Sequence, residues 1–268
     1  MSIEFDTGTE QLLCEAVDGI ATVTFNNPAR YNAMTQQIRT ALPRALAAVQ
    51  ASDEVRVIVV TGAGDKAFIS GADISEFESQ RTAPEARHEY DNNYLAMNQA
   101  WQKVTKPVIA MVGGYCLGAG MLVLLKTDIR IASEQARFGI PAAKLGLGFA
   151  YDGIAMLERA VGKAHAAEIL FSARQFDAEE ARAMHLVNRV VPPHMLQGET
   201  YSLARQIAAN APLTVRACKA GLVQTGIPLP QRDLVLVAEA VEACFDSQDY
   251  LEGQAAFAEK RSPRFLGR

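Results

Sequence analysis

The stretch VIAMVGGYCLGAGMLVLLKTD, residues 108–128, decides how the chain folds. It carries no charge before Lys126, and four glycines interrupt its apolar run: Gly113, Gly114, Gly118 and Gly120. Such a run suits a membrane-spanning helix, a phosphate-binding loop, or a strand followed by a turn and a buried helix. A spanning helix needs about 20 uninterrupted residues. Because Gly113-Gly114 is a turn signal that ends a β-prone segment, the sequence argues against a membrane span.

The phosphate-loop interpretation also fails at the glycines. A phosphate-binding loop continues with Lys and Ser or Thr after its last glycine, whereas Met121 and Leu122 follow Gly120 here. The dinucleotide fingerprint G-x-G-x-x-G is absent from this turn as well. What remains is a strand, a small-residue turn and an apolar helix. The N-terminus of such a helix offers unpaired backbone N–H groups to an oxygen that becomes negative during a reaction.

The bulk composition excludes several partners. The 268 residues are 49% hydrophobic and carry a net charge of −4. No Lys/Arg cluster provides the basic footprint that nucleic acids and anionic membranes require. The four cysteines form no C-x-x-C pair and the histidines lack metal-ligand spacing, so we predict buried free thiols and no metal site. The acidic N-terminus resembles neither a secretory signal nor a transit peptide, and we therefore expect a cytoplasmic protein.

Hydrophobic patterning elsewhere predicts a parallel α/β fold. Residues 12–25 form two strands around the hairpin signal Asp18-Gly19, and a helix follows from Thr35, with Pro43 as an irregularity. The β-branched run at 55–62 has the pattern of a strand buried on both faces. Strand, helix and strand in that order imply a βαβ crossover and a parallel sheet. We expect an α/β core over residues 1–193 and a helical region over 194–268.

A second small-residue turn, ISGADI at residues 69–74, follows the strand region around 55–62. Two such turns after parallel strands would place one N–H each beside a shared carbonyl oxygen, which is an oxyanion hole. The alternative is that both are tight turns where helices pack close to a sheet. Spacing alone does not decide between them.

Four segments together resemble the enoyl-CoA hydratase/isomerase (crotonase) superfamily. They are VIVVTGAGDKAFISGADISEF, KPVIAMVGGYCLGAGMLVLLKTDIRIAS, ARFGIPAAKLGLG and RAVGKAHAAEILFSARQFDAEEARAMHLVNRVVP. The resemblance extends over nearly the whole chain. It implies a spiral of ββα turns, a C-terminal helical trimerisation region, and trimers or dimers of trimers. It also implies an acyl-CoA thioester as substrate, with no metal or other cofactor.

By position, the resemblance assigns the oxyanion amides to Ala72 and Ala119, where family members usually have Gly at the second place. It implies that Arg30 lies near coenzyme A, unless it is an exposed loop arginine, and that Lys260 and Phe257 reach a neighbouring subunit's adenine pocket. Ser75 replaces a lysine that typical hydratases use for the nucleotide. The implied lining of the acyl-CoA channel is completed by Ser70, Gly71, Asp73, Ile74 and Gly118.

Both glutamates that family hydratases use are missing. Their positions hold Leu122 and Ala142, and neither side chain transfers a proton. Some branches carry a catalytic Asp at the place of Ala150, and Asp152 lies two residues further. We consider Asp152 a candidate general base, or else only an N-cap of the helix from Gly153. Its neighbour Tyr151 binds a substrate carboxylate or fills the pocket wall.

The remaining candidate residues are better explained by structural roles than by catalysis. A solvated helix accounts for Glu76, Glu78, His88 and Tyr90, a surface position for Lys144, and packing for Cys116, which has no histidine placed to activate it. Three functions stay open. They are an enoyl-CoA hydratase; an isomerase, decarboxylase or C–C hydrolase that forms the same enolate; and a non-catalytic acyl-CoA binder or assembly subunit.

Overall fold

The computed structural model describes residues 2–76 and 84–268, apart from the side chains of residues 74 and 84–91. The strands in this part are β1 (Ser2–Glu4), β2 (Leu12–Val17), β3 (Ile20–Phe25), β4 (Val57–Gly62), β5 (Ala67–Ile69), β6 (Val108–Val112), β7 (Tyr115–Leu117), β8 (Ile129–Ser133), β9 (Arg137–Gly139), β10 (Phe176–Asp177) and β11 (Arg189–Val191). The α-helices are α1 (Gln36–Ala51), α2 (Pro84–Gln102), α3 (Ala119–Leu124), α4 (Tyr151–Ser172), α5 (Ala178–Ala183), α6 (Leu196–Ala208), α7 (Pro212–Thr225), α8 (Leu234–Phe245) and α9 (Gln248–Glu259).

The larger sheet has the strand order β1-β2-β3-β4-β6-β8-β11. Its first three strands are antiparallel, and β3, β4, β6, β8 and β11 run parallel. Asp18 and Gly19 both have positive φ and form the predicted hairpin turn. In β4 the side chains of Val57 and Val59 join a core beneath α6, whereas those of Ile58 and Val60 join the main core on the other face. The prediction of a strand buried on both faces is confirmed.

The smaller sheet has the order β10-β9-β7-β5, in which β5, β7 and β9 run parallel. Three of the parallel strands of the larger sheet are each followed along the chain by a short strand of the smaller one: β4 by β5, β6 by β7 and β8 by β9. A helix follows each pair. This repeat is the ββα spiral that the family resemblance implies.

The opening stretch contains one more element than the sequence predicted. The strand β6 ends before the Gly113-Gly114 turn, but a second strand, β7, precedes the helix α3. Gly114 has φ +62°, and a Cβ there would overlap the carbonyl of Lys66, so only glycine fits this turn. In the described ranges every helix is too short or too polar to cross a lipid bilayer.

Two helical features refine the sequence prediction. Thr35 caps α1 by accepting a hydrogen bond from the Ile38 amide, and the helix continues through Pro43. Its buried face, which includes Leu42 and Leu46, packs into the main core and offsets the hydrogen bond lost at the proline. Beyond His194 four α-helices follow, in the region that the sequence predicts to be helical. The first of them, α6, packs on the larger sheet.

The contact between α3 and β5 depends on Gly120. A Cβ at this position would overlap the carbonyl oxygen of Ile69, and a backbone carbonyl in a strand cannot move aside. We expect Gly120→Ala to lower the free energy of unfolding by about 3 kcal/mol, as overpacking does. Gly148→Ala is the matched control, because a Cβ there meets no atom within 4 Å. Thermal melting of the two variants measures the difference, and equal melting temperatures would contradict this packing.

Candidate active site

Two turns meet at one edge of the smaller sheet. β5 and β7 are parallel neighbours, so the turns that follow them emerge side by side. A Cβ on Gly118 would lie 3.8 Å from the Cα of Gly71, which shows how closely the turns approach. Neither the Ala72 amide nor the Ala119 amide has a hydrogen-bond acceptor among the described residues. Ala119 is the first residue of α3, where an intrahelical acceptor does not exist.

The turn at Ala72 is fixed by the loop that precedes α1. The Met34 amide donates to the Gly71 carbonyl at 2.8 Å, and the Asp73 amide donates to the Met34 carbonyl at 3.1 Å. The Ser70 amide donates to the Tyr31 carbonyl at 3.1 Å. These three bonds use the peptide groups on both sides of Ala72 and leave its own N–H free. The turn is therefore rigid, and its unpaired donor has a fixed direction.

Arg30 belongs to the same loop and is held beside the turn. One guanidinium nitrogen donates to Asp73 Oδ2 at 2.8 Å and to Ser75 Oγ at 2.5 Å. Burial alone would raise the pKa of Asp73, but the hydrogen bonds from Ser75 and Arg30 lower it below its ordinary value. Arg30 itself is 57% exposed. A cation thus stands at the open side of the turn, fixed by an ionised carboxylate.

The positions of the two missing glutamates are filled by apolar packing. A Cβ built on Gly153 would lie 2.8 Å from Leu122 Cδ2 and 2.8 Å from a ring carbon of Phe149. The Leu122 side chain therefore ends against the first turn of α4. Ala142 is half-buried in the short 3₁₀ helix Pro141–Leu145 and packs on the main core.

Asp152 lies next to Gly153, in the first turn of α4. Its Oδ2 accepts a hydrogen bond from the Tyr94 hydroxyl at 3.1 Å and one from Asn98 Nδ2 at 3.3 Å. The N-cap of α4 is Ala150, so the interpretation of Asp152 as an N-cap is wrong. The helix begins two residues earlier than the sequence suggested, and the carboxylate binds side chains of α2 instead of the backbone of its own helix.

Lys126 adds a cation to this polar cluster. Its ammonium group lies 3.9 Å from Met156 Sδ, and Met156 is one helical turn after Asp152 on α4. Burial lowers the pKa of Lys126 below its ordinary value, and the negative charge of Asp152 opposes that shift. The sequence analysis missed Lys126, Tyr94 and Asn98. The spacing of four between Tyr94 and Asn98 on a predicted helix was the one available signal that they share a face.

Several other predicted residues do not enter this cluster. Tyr151 is 84% exposed, and Phe257 is 88% exposed on α9. Lys260, at the end of α9, is exposed, and so is Lys144. Within the single chain, no described bond brings these four to the turns.

Cys116 is fully buried in β7, and burial raises the pKa of its thiol, so it packs and does not ionise readily. Glu76 accepts hydrogen bonds from the Gln36 amide and from the buried Arg39, at 2.9 Å and 3.3 Å, which anchors it to α1. Of the other predicted positions, Glu78 lies outside the described residues. The side chains of Ile74, His88 and Tyr90 also lie outside the part that the structure describes.

Comparison with known proteins gives a consistent result. The family model for enoyl-CoA hydratase/isomerase matches residues 15–268. A short-chain-enoyl-CoA hydratase of Clostridium acetobutylicum is 34% identical over 93% of this chain and 95% of its own length. An (E)-benzylidenesuccinyl-CoA hydratase of Thauera aromatica is 33% identical, over 94% and 98%. The crystal structure of an enoyl-CoA hydratase/carnithine racemase from Magnetospirillum magneticum superimposes with a TM-score of 0.90, at 35% identity and 97% coverage of both chains.

The oxyanion assignment predicts a specific effect of proline at position 119. Proline suits the first residue of a helix, so Ala119→Pro should keep α3 and remove only the N–H. We expect kcat on a coenzyme A thioester to fall by about 10²–10³, the usual effect of losing one such donor. Ala119→Gly keeps the N–H and should stay active. Full activity of a folded Ala119→Pro protein would refute the assignment.

Proposed function

The chain belongs to the enoyl-CoA hydratase/isomerase family, and from this premise we propose that it is an enzyme that stabilises the enolate of an acyl-CoA thioester. The observation that carries the proposal is the pair of unpaired amides at Ala72 and Ala119, on touching turns of adjacent parallel strands. A thioester oxygen between them would receive two hydrogen bonds as it becomes negative. Fixed donors of this kind are worth about 3 kcal/mol each in the transition state.

The favoured reaction is hydration of an enoyl-CoA ester, with Asp152 as the acid and base. The Leu122 side chain touches Gly153, the neighbour of Asp152 in the chain. A glutamate at position 122 would therefore reach the region beside Asp152. In the proposed reaction Asp152 accepts a proton from water while the oxygen bonds to Cβ of the substrate. The C=C electron pair moves to form the enolate at the two amides. Asp152 then returns the proton to Cα, and the product is a 3-hydroxyacyl-CoA.

The apolar side chains at 122 and 142 favour a second candidate. Isomerisation, decarboxylation and C–C hydrolysis all pass through the same enolate. Decarboxylation requires the least proton transfer, because departure of CO2 generates the enolate directly. The lack of a proton-transferring side chain at Leu122 and Ala142 also fits a non-catalytic acyl-CoA binder. In such a protein the two amides hold a thioester without turnover.

Coenzyme A binding and assembly complete the proposal. Arg30 supplies a fixed cation beside the Ala72 turn, where Ser75 offers no charge. No other cofactor is proposed. The helix α8 buries none of its residues in the single chain, although it is strongly apolar. Its exposed side chains support a homotrimer or dimer of trimers built through residues 194–268, which leaves residues 1–193 as the acyl-CoA-binding core.

The first experiment is mass spectrometry of products after incubation with enoyl-, β-keto- and carboxyacyl-CoA esters in water labelled with heavy oxygen and deuterium. The enoyl esters should include a short straight chain and an aryl-substituted acid. Addition of labelled water to an enoyl ester is the expected result. Deuterium exchange without hydration, or loss of CO2, would identify the second candidate. Binding without any mass change would establish a non-catalytic protein.

The role of Asp152 has a separate test. Asp152→Asn keeps an oxygen for Tyr94 but accepts no proton, so we expect kcat to fall at least tenfold, within the range for acid–base groups of about 10²–10⁴. Glu158→Gln removes an exposed carboxylate from the same helix and should leave kcat unchanged. An unaltered rate in Asp152→Asn would assign the proton transfer to another group.

A further inference from the structure

The contacts of Asp152 with α2 go beyond what a surface carboxylate requires. We propose that Tyr94 and Asn98 are positioning residues that hold Asp152 in its reactive orientation. This inference rests on the proposed function, because it concerns the acid–base group of that reaction. It assigns a role to α2, which contributes no residue to the oxyanion turns.

The first argument is the geometry of the carboxylate. Tyr94 Oη and Asn98 Nδ2 donate to the same atom, Asp152 Oδ2, at 3.1 and 3.3 Å. Asp152 Oδ1 has no hydrogen-bond partner among the described residues. Two donors on one oxygen fix the plane of the carboxylate and leave the other oxygen available to exchange a proton. A general base needs this arrangement, since its free oxygen has to point at the reacting water.

The second argument is the state of the Asn98 side chain. Asn98 is 9% exposed, and its Oδ1 is buried without a hydrogen-bond partner. A buried acceptor without a donor destabilises a fold, so its presence calls for an explanation. Rotating the amide by 180° would turn Oδ1 towards the carboxylate and place two acceptors face to face. The interaction with Asp152 therefore fixes the amide in an orientation that its own surroundings do not favour.

The third argument is the placement of the two donors on a packed helix. Tyr94 and Asn98 are four residues apart on α2, and so lie on one face. Met97 and Trp101 of the same helix are buried in the main core. The donors thus have a rigid base, whereas Asp152 stands in the exposed first turn of α4. Lys126 interacts with Asp152 through its charge and not through a hydrogen bond. The direction of the carboxylate is consequently set from α2.

The test uses Asn98→Leu, a change of similar volume. A merely structural asparagine would lose stability on this change. Here the change removes a buried unpaired oxygen, so we expect the melting temperature to stay constant or rise. We expect kcat on the ester turned over in the mass-spectrometric panel to fall about tenfold, as misdirected reacting groups do, with KM within twofold of the parent. Tyr94→Phe, which removes only the hydroxyl, should also lower kcat without raising KM. Gln99→Leu, on the exposed side of α2, is the matched control.

The decisive measurement places Asn98→Leu in the Asp152→Asn background. If Asn98 acts through Asp152, the second substitution causes no further loss of kcat. A further tenfold loss in that background, or an unchanged kcat in the Asn98→Leu single variant, would overturn the positioning role while leaving Asp152 as the base. A fully active Asp152→Asn protein would instead overturn the proposed base, and with it the role of α2.

Discussion

The parallel pairing of β5 with β7 is the constraint on which the site depends. Three-residue strands place two turns at one edge, and the absence of a side chain at Gly120 lets α3 approach β5. The amides of Ala72 and Ala119 remain unpaired because the surrounding peptide groups are bonded elsewhere. An amide without a protein partner breaks no internal hydrogen bond when it donates to a ligand oxygen. In the proposed reaction these donors are in place before a thioester binds, which is the condition for strong electrostatic stabilisation.

The acid–base group that we propose differs in location from the glutamates of family hydratases. The carboxylates that the family resemblance leads one to expect on α3 and after β9 are replaced by Leu122 and Ala142. The polar side chains of the proposed acid–base site instead lie where α2 meets α4, at Asp152. Relatives that share the fold act on both a short-chain enoyl ester and an aryl-substituted one, by their names. In the proposed site the two unpaired amides and the acid–base carboxylate are carried by different elements, so one can change while the other stays.

Much of this was readable from the sequence, and the failures have physical causes. The Asp18-Gly19 turn, the strand β4 and the helix that begins beside Thr35 depend on neighbours in sequence, and all three are confirmed. β7 was missed because three residues are too few to show a period of two. The start of α4 was misplaced because Ala150 gives no capping signal. Asp152 and its donors are 54 and 58 residues apart, and local patterns carry no information on such contacts.

The backbone pairing of Met34 with the Ala72 turn also constrains the order in which the site forms. Met34 pairs with Ala72 from 38 positions earlier in the chain, and Ala119 comes 47 positions later. Closing loops of that length costs conformational entropy, which the contacts that they bring together must offset. A ribosome releases the loop first, then the turn that it binds, and the second donor last. The nascent chain therefore contains both partners of the Met34–Ala72 pairing before it contains Ala119, whose turn joins them only when β7 pairs with β5.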